Sequence, residues 1–478
     1  MFRKDWSYRF LVSATCLFSL VACEKEEPTV TNKPPTSGSN ANAKVNSWIE
    51  DVMREVYYWE DNIPATLNKS LAPEDFFETI LSTEDRFSFI TPDYEGLINS
   101  LSGVSKSAGF EYQLTLESSQ SNNVVAIVLY TLPGSPADLA GLKRGDVIKS
   151  INGTQMTTSN YRSLLSAMQE TYTADFIRWN EATQSFAQEP QVTLATQVIS
   201  ENPNYLDSVY TINGQKIAYY IYNFFSPGVD NTSIYDQEME GIISDFKAKG
   251  ANHLILDLRY NGGGAVSSST NLASLIGSGV DESEIYYSYQ WNDLYQAYFQ
   301  SQPGGDENLR GYFINKADNI GGQISGNTIY ILTGSGTASA SELIINGLKP
   351  YMNIILIGET TVGKNVGSIP IQDTESEENK YGLLPIVFKI FNSQGDSDYS
   401  TGFEPNILAD DFSFPMLPLG DVNEALLSTA INQITGSGAR HGLGVRPFEG
   451  NRRLKSSLEQ KPNFGRMIIQ QQLPGLNQ

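Results

Sequence analysis

Thr333-Gly334-Ser335-Gly336-Thr337-Ala338-Ser339-Ala340-Ser341-Glu342 is the stretch whose reading decides the fold. Before it, Thr328-Ile-Tyr-Ile-Leu332 is a short apolar run of β-branched and aromatic residues, the mark of a buried strand. After it, Glu342-Leu-Ile-Ile-Asn-Gly-Leu348 continues as a helix and Asn353-Ile-Ile-Leu-Ile357 as a second apolar strand. Strand, small-residue turn, helix and strand make a βαβ unit, which sets the turn at the carboxyl edge of a sheet. A serine there meets free backbone N–H groups that favour developing negative charge. Ser339 thus has the setting of a nucleophile and equally that of a helix N-cap. The local pattern does not choose between them.

The sequence around this unit reads as α/β from about residue 199 to 435. Lys216 to Tyr222 is a strand, Ile234 to Lys249 a helix, and His253 to Leu258 a buried strand that breaks into Arg259-Tyr-Asn-Gly-Gly-Gly264. A helix over Ser267–Ile276 follows. Beyond the βαβ unit comes further β structure to Asp410, then an amphipathic helix from Leu419 to Ile434.

A serine hydroxyl needs a neighbouring base before it attacks anything. The chain has 2 His, and neither is well placed: His253 opens a buried strand and His441 lies in an irregular basic segment. The other base available is a lysine whose pKa is lowered by burial. Lys364, in Gly358-Glu-Thr-Thr-Val-Gly-Lys364, follows the second strand of the βαβ unit, on the same sheet edge as Ser339. The bland reading is a solvated loop lysine. The same run nearly spells a nucleotide-binding phosphate loop, but Asn365 lacks the hydroxyl that ligates Mg²⁺, and Val366 to Ile371 reads as strand where that loop requires helix.

The whole chain sets wider bounds. Its 478 residues suit two or three domains, and 40% hydrophobic content with 25 Tyr and 22 Phe is ample for sizeable cores. A formal charge of -22 argues against nucleic acid as a partner, since phosphate binding needs clustered Lys and Arg. Residues 1–22 read as a leader: basic Arg3, Lys4 and Arg9, then an apolar run too short to span a bilayer. Leu20-Val21-Ala22-Cys23 resembles a bacterial lipobox, which implies cleavage before Cys23, lipidation of its sulfur and a lipid anchor in the cell envelope. Residues 23–42 are a polar Pro/Ser/Thr/Gly tether whose acidic start, Glu24 to Glu27, resembles surface-export signals. Residues 43–100 carry a helical stripe through Trp48, Val52 and Val56 and form a small helical domain. Residues 436–478 are a basic tail, with Arg452, Arg453, Lys455, Lys461 and Arg466 outnumbering Glu449 and Glu459. No function follows from it.

From 101 to 198 the pattern turns to short strands. Ser135-Pro-Ala, Ala140-Gly-Leu142, Gly145-Asp-Val-Ile148 and Ile151-Asn-Gly153 resemble a PDZ domain. The resemblance implies that a peptide adds as a strand where Ser107, Gly109, Phe110, Glu111 and Tyr112 begin the domain's own strand, with main-chain donors holding a free carboxylate. A β-rich spacer without a ligand is the alternative.

Gly336-Thr-Ala-Ser-Ala-Ser-Glu342, the step of 25 from Ser339 to Lys364, Asp257-Leu-Arg259 with Asn261-Gly-Gly-Gly264, and an upstream PDZ-like region together resemble the carboxyl-terminal processing (tail-specific) peptidases. The implied fold is multidomain α+β: a small N-terminal helical domain, a PDZ-like β domain and a crotonase-like α/β catalytic domain. The implied activity is cleavage of unfolded or C-terminally recognised polypeptides, with no cofactor or metal. The resemblance makes Ser339 the nucleophile and Lys364 the base, and it makes the amides of Ala340, Gly263 and Gly264 the oxyanion hole. Tyr399-Ser-Thr-Gly-Phe-Glu-Pro405 resembles the family's closing segment. Two positions depart from the pattern. Ser368 stands where a glutamine orienting the lysine is usual, and Gly262 replaces a proline before the paired glycines. Ser368 is read as a shorter substitute, and its presence keeps open a catalytically impaired binding lipoprotein on the same scaffold. A hydrolase of a non-peptide ester or cell-wall amide is the third reading.

Overall fold

The computed structural model describes residues 38–436, 447–448, 453–470 and 473–474. The leader, Cys23 and His441 lie outside the described residues. At the centre is the βαβ unit: strand Thr328–Thr333, helix Ala340–Leu348 and strand Asn353–Gly358, the strands parallel from Thr328↔Asn353 to Thr333↔Gly358. It sits inside a six-stranded sheet whose order is Asn204–Ile212, Gln215–Tyr222, His253–Asp257, Thr328–Thr333, Asn353–Gly358 and Ile407–Leu408. Only the first pair is antiparallel.

The two-residue period of a strand decides what each face meets. Ala218, Tyr220 and Tyr222 face the main core with helices Ile234–Ala248, Val266–Ile276 and Ala340–Leu348. Ile217, Tyr219 and Ile221 face the opposite way, against Leu426, Leu427 and Ala430 of helix Ala425–Thr435. That helix begins at Ala425, six residues later than the sequence pattern suggests. Glu424 is the reason: its carboxylate accepts from the Leu427 N–H at 3.0 Å and so serves as the N-cap.

A second six-stranded sheet packs beside the first. Its order is Gly263–Ala265, Arg466–Ile468, Val366–Ser368, Ile386–Phe391, Ile285–Trp291 and Arg310–Tyr312. The segment read as a basic tail therefore contributes an internal strand, with Met467 wholly buried. The N-terminal region shares this core as well. Helix Gly38–Val56 starts inside the stretch read as tether, and Ile49, Met53 and Phe76 pack in the same cluster as Trp291 and Phe388. A short strand, Phe89–Thr91, interrupts the region's helices and pairs with Gly382–Leu384. Its apolar residues are too few for periodicity to reveal it.

Residues 104–200, which hold the stretch that resembles a PDZ domain, fold around a seven-stranded sheet that begins with Phe110–Leu116 and Val124–Thr131. Leu114, Val128, Ile148 and Phe176 fill its core. A buried ion cluster joins it to the domain that holds the parallel sheet. Arg144 of the PDZ domain meets Asp411 at 2.6 Å, and Arg259 meets Asp411 at 2.6 Å, Glu424 at 2.7 Å and Asp257 at 2.8 Å. Asp257-Leu-Arg259, part of the family signature, is thus a structural clamp. Burial alone would raise the Asp411 carboxyl, but the Arg144 and Arg259 guanidiniums outweigh it and hold the group well below the ordinary carboxylate range.

Removing one partner of a buried cluster leaves an uncompensated charge, at a cost of about 3–5 kcal/mol. Arg144→Met is expected to lose stability of that order in urea unfolding, whereas a loss below about 1 kcal/mol would refute a clamp. The folded pKa of Asp411 is depressed, so its contribution is present above the unfolded value. The wild-type advantage over Arg144→Met should shrink as pH falls below about 4.

Candidate active site

Three chain breaks meet at the carboxyl edge of the parallel sheet, after strands His253–Asp257, Thr328–Thr333 and Asn353–Gly358. Side chains and amides lace them together. The Thr337 hydroxyl donates to Leu258 O at 2.8 Å, the Ala338 N–H to Asn261 O at 3.2 Å, and the Val362 N–H to Thr337 O at 3.0 Å. Ser339 is wholly buried in the middle turn with φ 64° and ψ -115°. That backbone state is rare for a residue with a Cβ and costs roughly 1–3 kcal/mol.

Glu342 holds the turn in place. One carboxylate oxygen accepts from the Ser339 N–H and the Lys364 N–H, both at 2.8 Å. The other accepts from the Thr361 hydroxyl at 2.6 Å and the Gly363 N–H at 2.7 Å. A single buried carboxylate therefore ties the serine turn to the lysine loop. Burial pushes the Glu342 carboxyl up, and these four donors pull against it. Sequence reading quoted Glu342 without giving it a role. The Ser-x-x-Glu spacing of a capping box was the available signal.

Lys364 is wholly buried. Burial first, then the Arg466 guanidinium beside it, push its pKa well below the ordinary lysine value, against the opposing pull of Asp85 and Glu342. The Phe87 ring lies 5.1 Å from its Nζ. Asp85 and Phe87 come from the N-terminal region, which sequence reading credited with no chemistry. The Nζ donates to Gly465 O at 2.7 Å, a carbonyl of the tail segment. The Ser339 hydroxyl has no hydrogen-bond partner. No serine–lysine hydrogen bond is formed, although Glu342 ties the two residues into one buried site. Ser368 is also buried, and its hydroxyl too is without a partner, so it does not orient Lys364 by a hydrogen bond. A serine side chain is shorter than the glutamine it replaces, and the carbonyl of Gly465 supplies the lysine's contact.

The glycine strand lies close by. A Cβ placed on Gly263 would sit 2.6 Å from Ser339 Cβ and 2.6 Å from Arg466 O. The Gly263 N–H is already donated to Asn261 Oδ1 at 2.9 Å. Gly264, at φ 135°, passes so near the Phe225 carbonyl that a Cβ would lie 2.0 Å from its oxygen. Only glycine fits there. Ala340 is the first residue of its helix, so its N–H is among those with no partner inside the helix. Gly264 is paired with Met467 in the sheet, so of the three amides it is Ala340's that has no partner within its own element.

The remaining candidates lie away from this centre. His253, half-buried at the start of its strand, meets Gln215 Oε1 at 3.1 Å. On the PDZ domain, the Ser107 hydroxyl accepts from the Gly109 N–H at 3.2 Å, and Phe110, Glu111 and Tyr112 open strand Phe110–Leu116. Glu111 and Tyr112 contact the tail: Lys461 meets Glu111 at 2.6 Å, and the Tyr112 N–H donates to the Ser457 hydroxyl at 2.8 Å.

Residues 216–409 match peptidase family S41, residues 44–89 the peptidase S41 N-terminal domain, and residues 127–171 a PDZ domain. A carboxyl-terminal-processing protease from Picosynechococcus is 25% identical over 57% of this chain and 58% of its own length. The chain thus spans less than two thirds of that relative. A protein of the same name from Synechocystis is 22% identical over 82% of this chain and 84% of its own. A solved structure from Bacteroides fragilis, described as of the S41 protease type, superposes with a TM-score of 0.69 at 27% identity, covering 82% of this chain and 98% of its own.

The strain at Ser339 gives a test independent of activity. Ser339→Gly relieves a positive φ that Ser339→Ala keeps, so the glycine variant should be the more stable of the two by about 1 kcal/mol. Equal unfolding midpoints would mean that the backbone at 339 is unstrained. Glu342→Ala should cost several kcal/mol, because four buried donors lose their acceptor.

Proposed function

From a peptidase family S41 catalytic domain behind an S41 N-terminal domain and a PDZ domain, we propose that this chain is a serine endopeptidase working through Ser339 and Lys364. Its substrates are polypeptides that are unfolded or recognised by a free C-terminus. The observation that carries the reading is the wholly buried Lys364, its basicity lowered by burial, tied through Glu342 to the turn that presents Ser339.

The chemistry follows from those positions. Neutral Lys364 takes the hydroxyl proton of Ser339, whose oxygen attacks a peptide carbonyl. The carbonyl oxygen gains charge and is met by the amides of Ala340 and Gly264, each such donor contributing about 3–4 kcal/mol in comparable sites. The amine product leaves with the proton, and water then releases the acyl group from Ser339. The PDZ strand Phe110–Leu116 is an edge to which an extended polypeptide can add. A binding scaffold without catalysis is not favoured, because a bare lysine buried at this cost needs a use. The lipobox resemblance at Leu20–Cys23 supports attachment to a bacterial envelope membrane by lipid.

Ser339→Ala and Lys364→Ala should each abolish cleavage of an unstructured polypeptide, followed by mass spectrometry of the fragments, while both remain folded. Full activity in either variant would sink the assignment. The active form of the lysine is neutral, so kcat/KM should rise with pH and level off well below the ordinary lysine value of 10.5. A rate flat across that limb would exclude Lys364 as the base.

A further inference from the structure

The tail segment touches both the PDZ edge and the reacting groups. Along the PDZ strand Phe110–Leu116 it runs antiparallel, joined by one isolated bridge and two further backbone bonds. Arg453 pairs with Thr115, the Leu454 N–H donates to Leu114 O at 3.0 Å, and the Ser457 N–H donates to Tyr112 O at 2.9 Å. Lys461 then crosses to Glu111 at 2.6 Å and Glu201 at 3.1 Å. Phe464 lies against Gly262, where a Cβ would come within 2.6 Å of its ring. Gly465 O takes the Lys364 ammonium or amine, and Arg466–Ile468 fills the slot between Gly263–Ala265 and Val366–Ser368, parallel to both.

Two features mark these residues as an occupant of a site rather than part of it. The contacts with the PDZ strand include two backbone bonds of the kind any extended peptide can make, beside bonds from the Gln113, Ser457 and Lys461 side chains. Beside them a groove of about 710 Å³, lined by Phe110, Tyr112, Leu165, Tyr172 and Val198, stays open. The tail takes the edge and leaves that half-apolar groove unfilled. At the other end it takes the lysine's hydrogen bond and leaves the Ser339 hydroxyl without one.

We propose that residues 453–468 are a built-in occupant of one continuous peptide track, which runs from the PDZ edge to the slot beside Ser339. The folded chain is latent while they fill it. A polypeptide whose apolar side chains fill the open groove takes the track by displacing them. The latency rests on the peptidase reading; the occupancy does not.

The test uses the full chain with Lys461→Glu, which sets a carboxylate against Glu111 and Glu201, and separately with Ser457→Pro, which removes the N–H given to Tyr112. A fluorescent peptide of the sequence from Arg453 to Ile468 should bind saturably to both variants and not to the parent. Ser339-dependent cleavage of an unstructured polypeptide should rise by about tenfold or more, as expected when a minor open state becomes dominant. The same peptide should inhibit that cleavage competitively. Folded Lys461→Glu protein that binds no peptide and cleaves no faster than the parent would overturn the proposal. Peptide binding without Ser339-dependent cleavage in any of the chains would uphold the occupancy and overturn the peptidase reading instead.

Discussion

The carboxylate of Glu342 is the constraint on which the site depends. It sits at the first turn of helix Ala340–Leu348 and accepts four donors, from Ser339, Thr361, Gly363 and Lys364. The first belongs to the serine turn and the other three to the lysine loop, so the carboxylate joins the two, beside the bond from the Val362 N–H to Thr337 O. A buried carboxylate is tolerable only when its acceptor capacity is filled. The requirement works in both directions: the carboxylate needs the loops, and the loops are fixed by needing the carboxylate. That mutual need maintains the positive φ of Ser339, because the N–H that the strained backbone presents is one of the four.

A second buried polar cluster works at a larger scale. Arg259 and Arg144 share Asp411 and Glu424, so the clamp that fixes the start of the glycine strand also fixes the PDZ domain. Glu424 has a further part, since it caps the helix that covers the far face of the sheet. The position of the PDZ edge relative to Ser339 is therefore set by charges that cannot be separated cheaply. In the proposed track, a peptide on Phe110–Leu116 is held relative to Ser339 by the same residues that fix the start of the glycine strand.

The sequence made the βαβ unit plain, because apolar strands and a small-residue turn are local signals. It also brought Ser339 and Lys364 together, since consecutive parallel strands end on one edge. What it hid was long-range. Phe87 and Asp85 reach the lysine from more than 270 residues upstream, about the length of chain that no periodicity can bridge. Arg466 and Gly465 reach it from the other side, out of a stretch read only as a basic tail to which no function was assigned. Met467 and Ile469 were the signal that could have corrected this: two apolar residues that a solvated tail does not need. Ser368 was read as a shorter substitute for glutamine, and its hydroxyl makes no hydrogen bond to the lysine.

The tail acts on Lys364 in two opposed ways. By covering the lysine and bringing Arg466 near, it lowers the lysine's basicity and so favours the neutral form that a base must have. By offering Gly465 O, it takes a hydrogen bond of the Nζ, while the Ser339 hydroxyl has none. If the tail simply left, water would enter and the burial that lowers the lysine's basicity would be lost. Neutral lysine and free serine coexist only when something else covers the slot, and an incoming polypeptide strand is the cover the slot is shaped for. In the proposed track, then, the strand that displaces the tail also restores the burial the base needs. The chemistry is thereby confined to the moment when a substrate is in place.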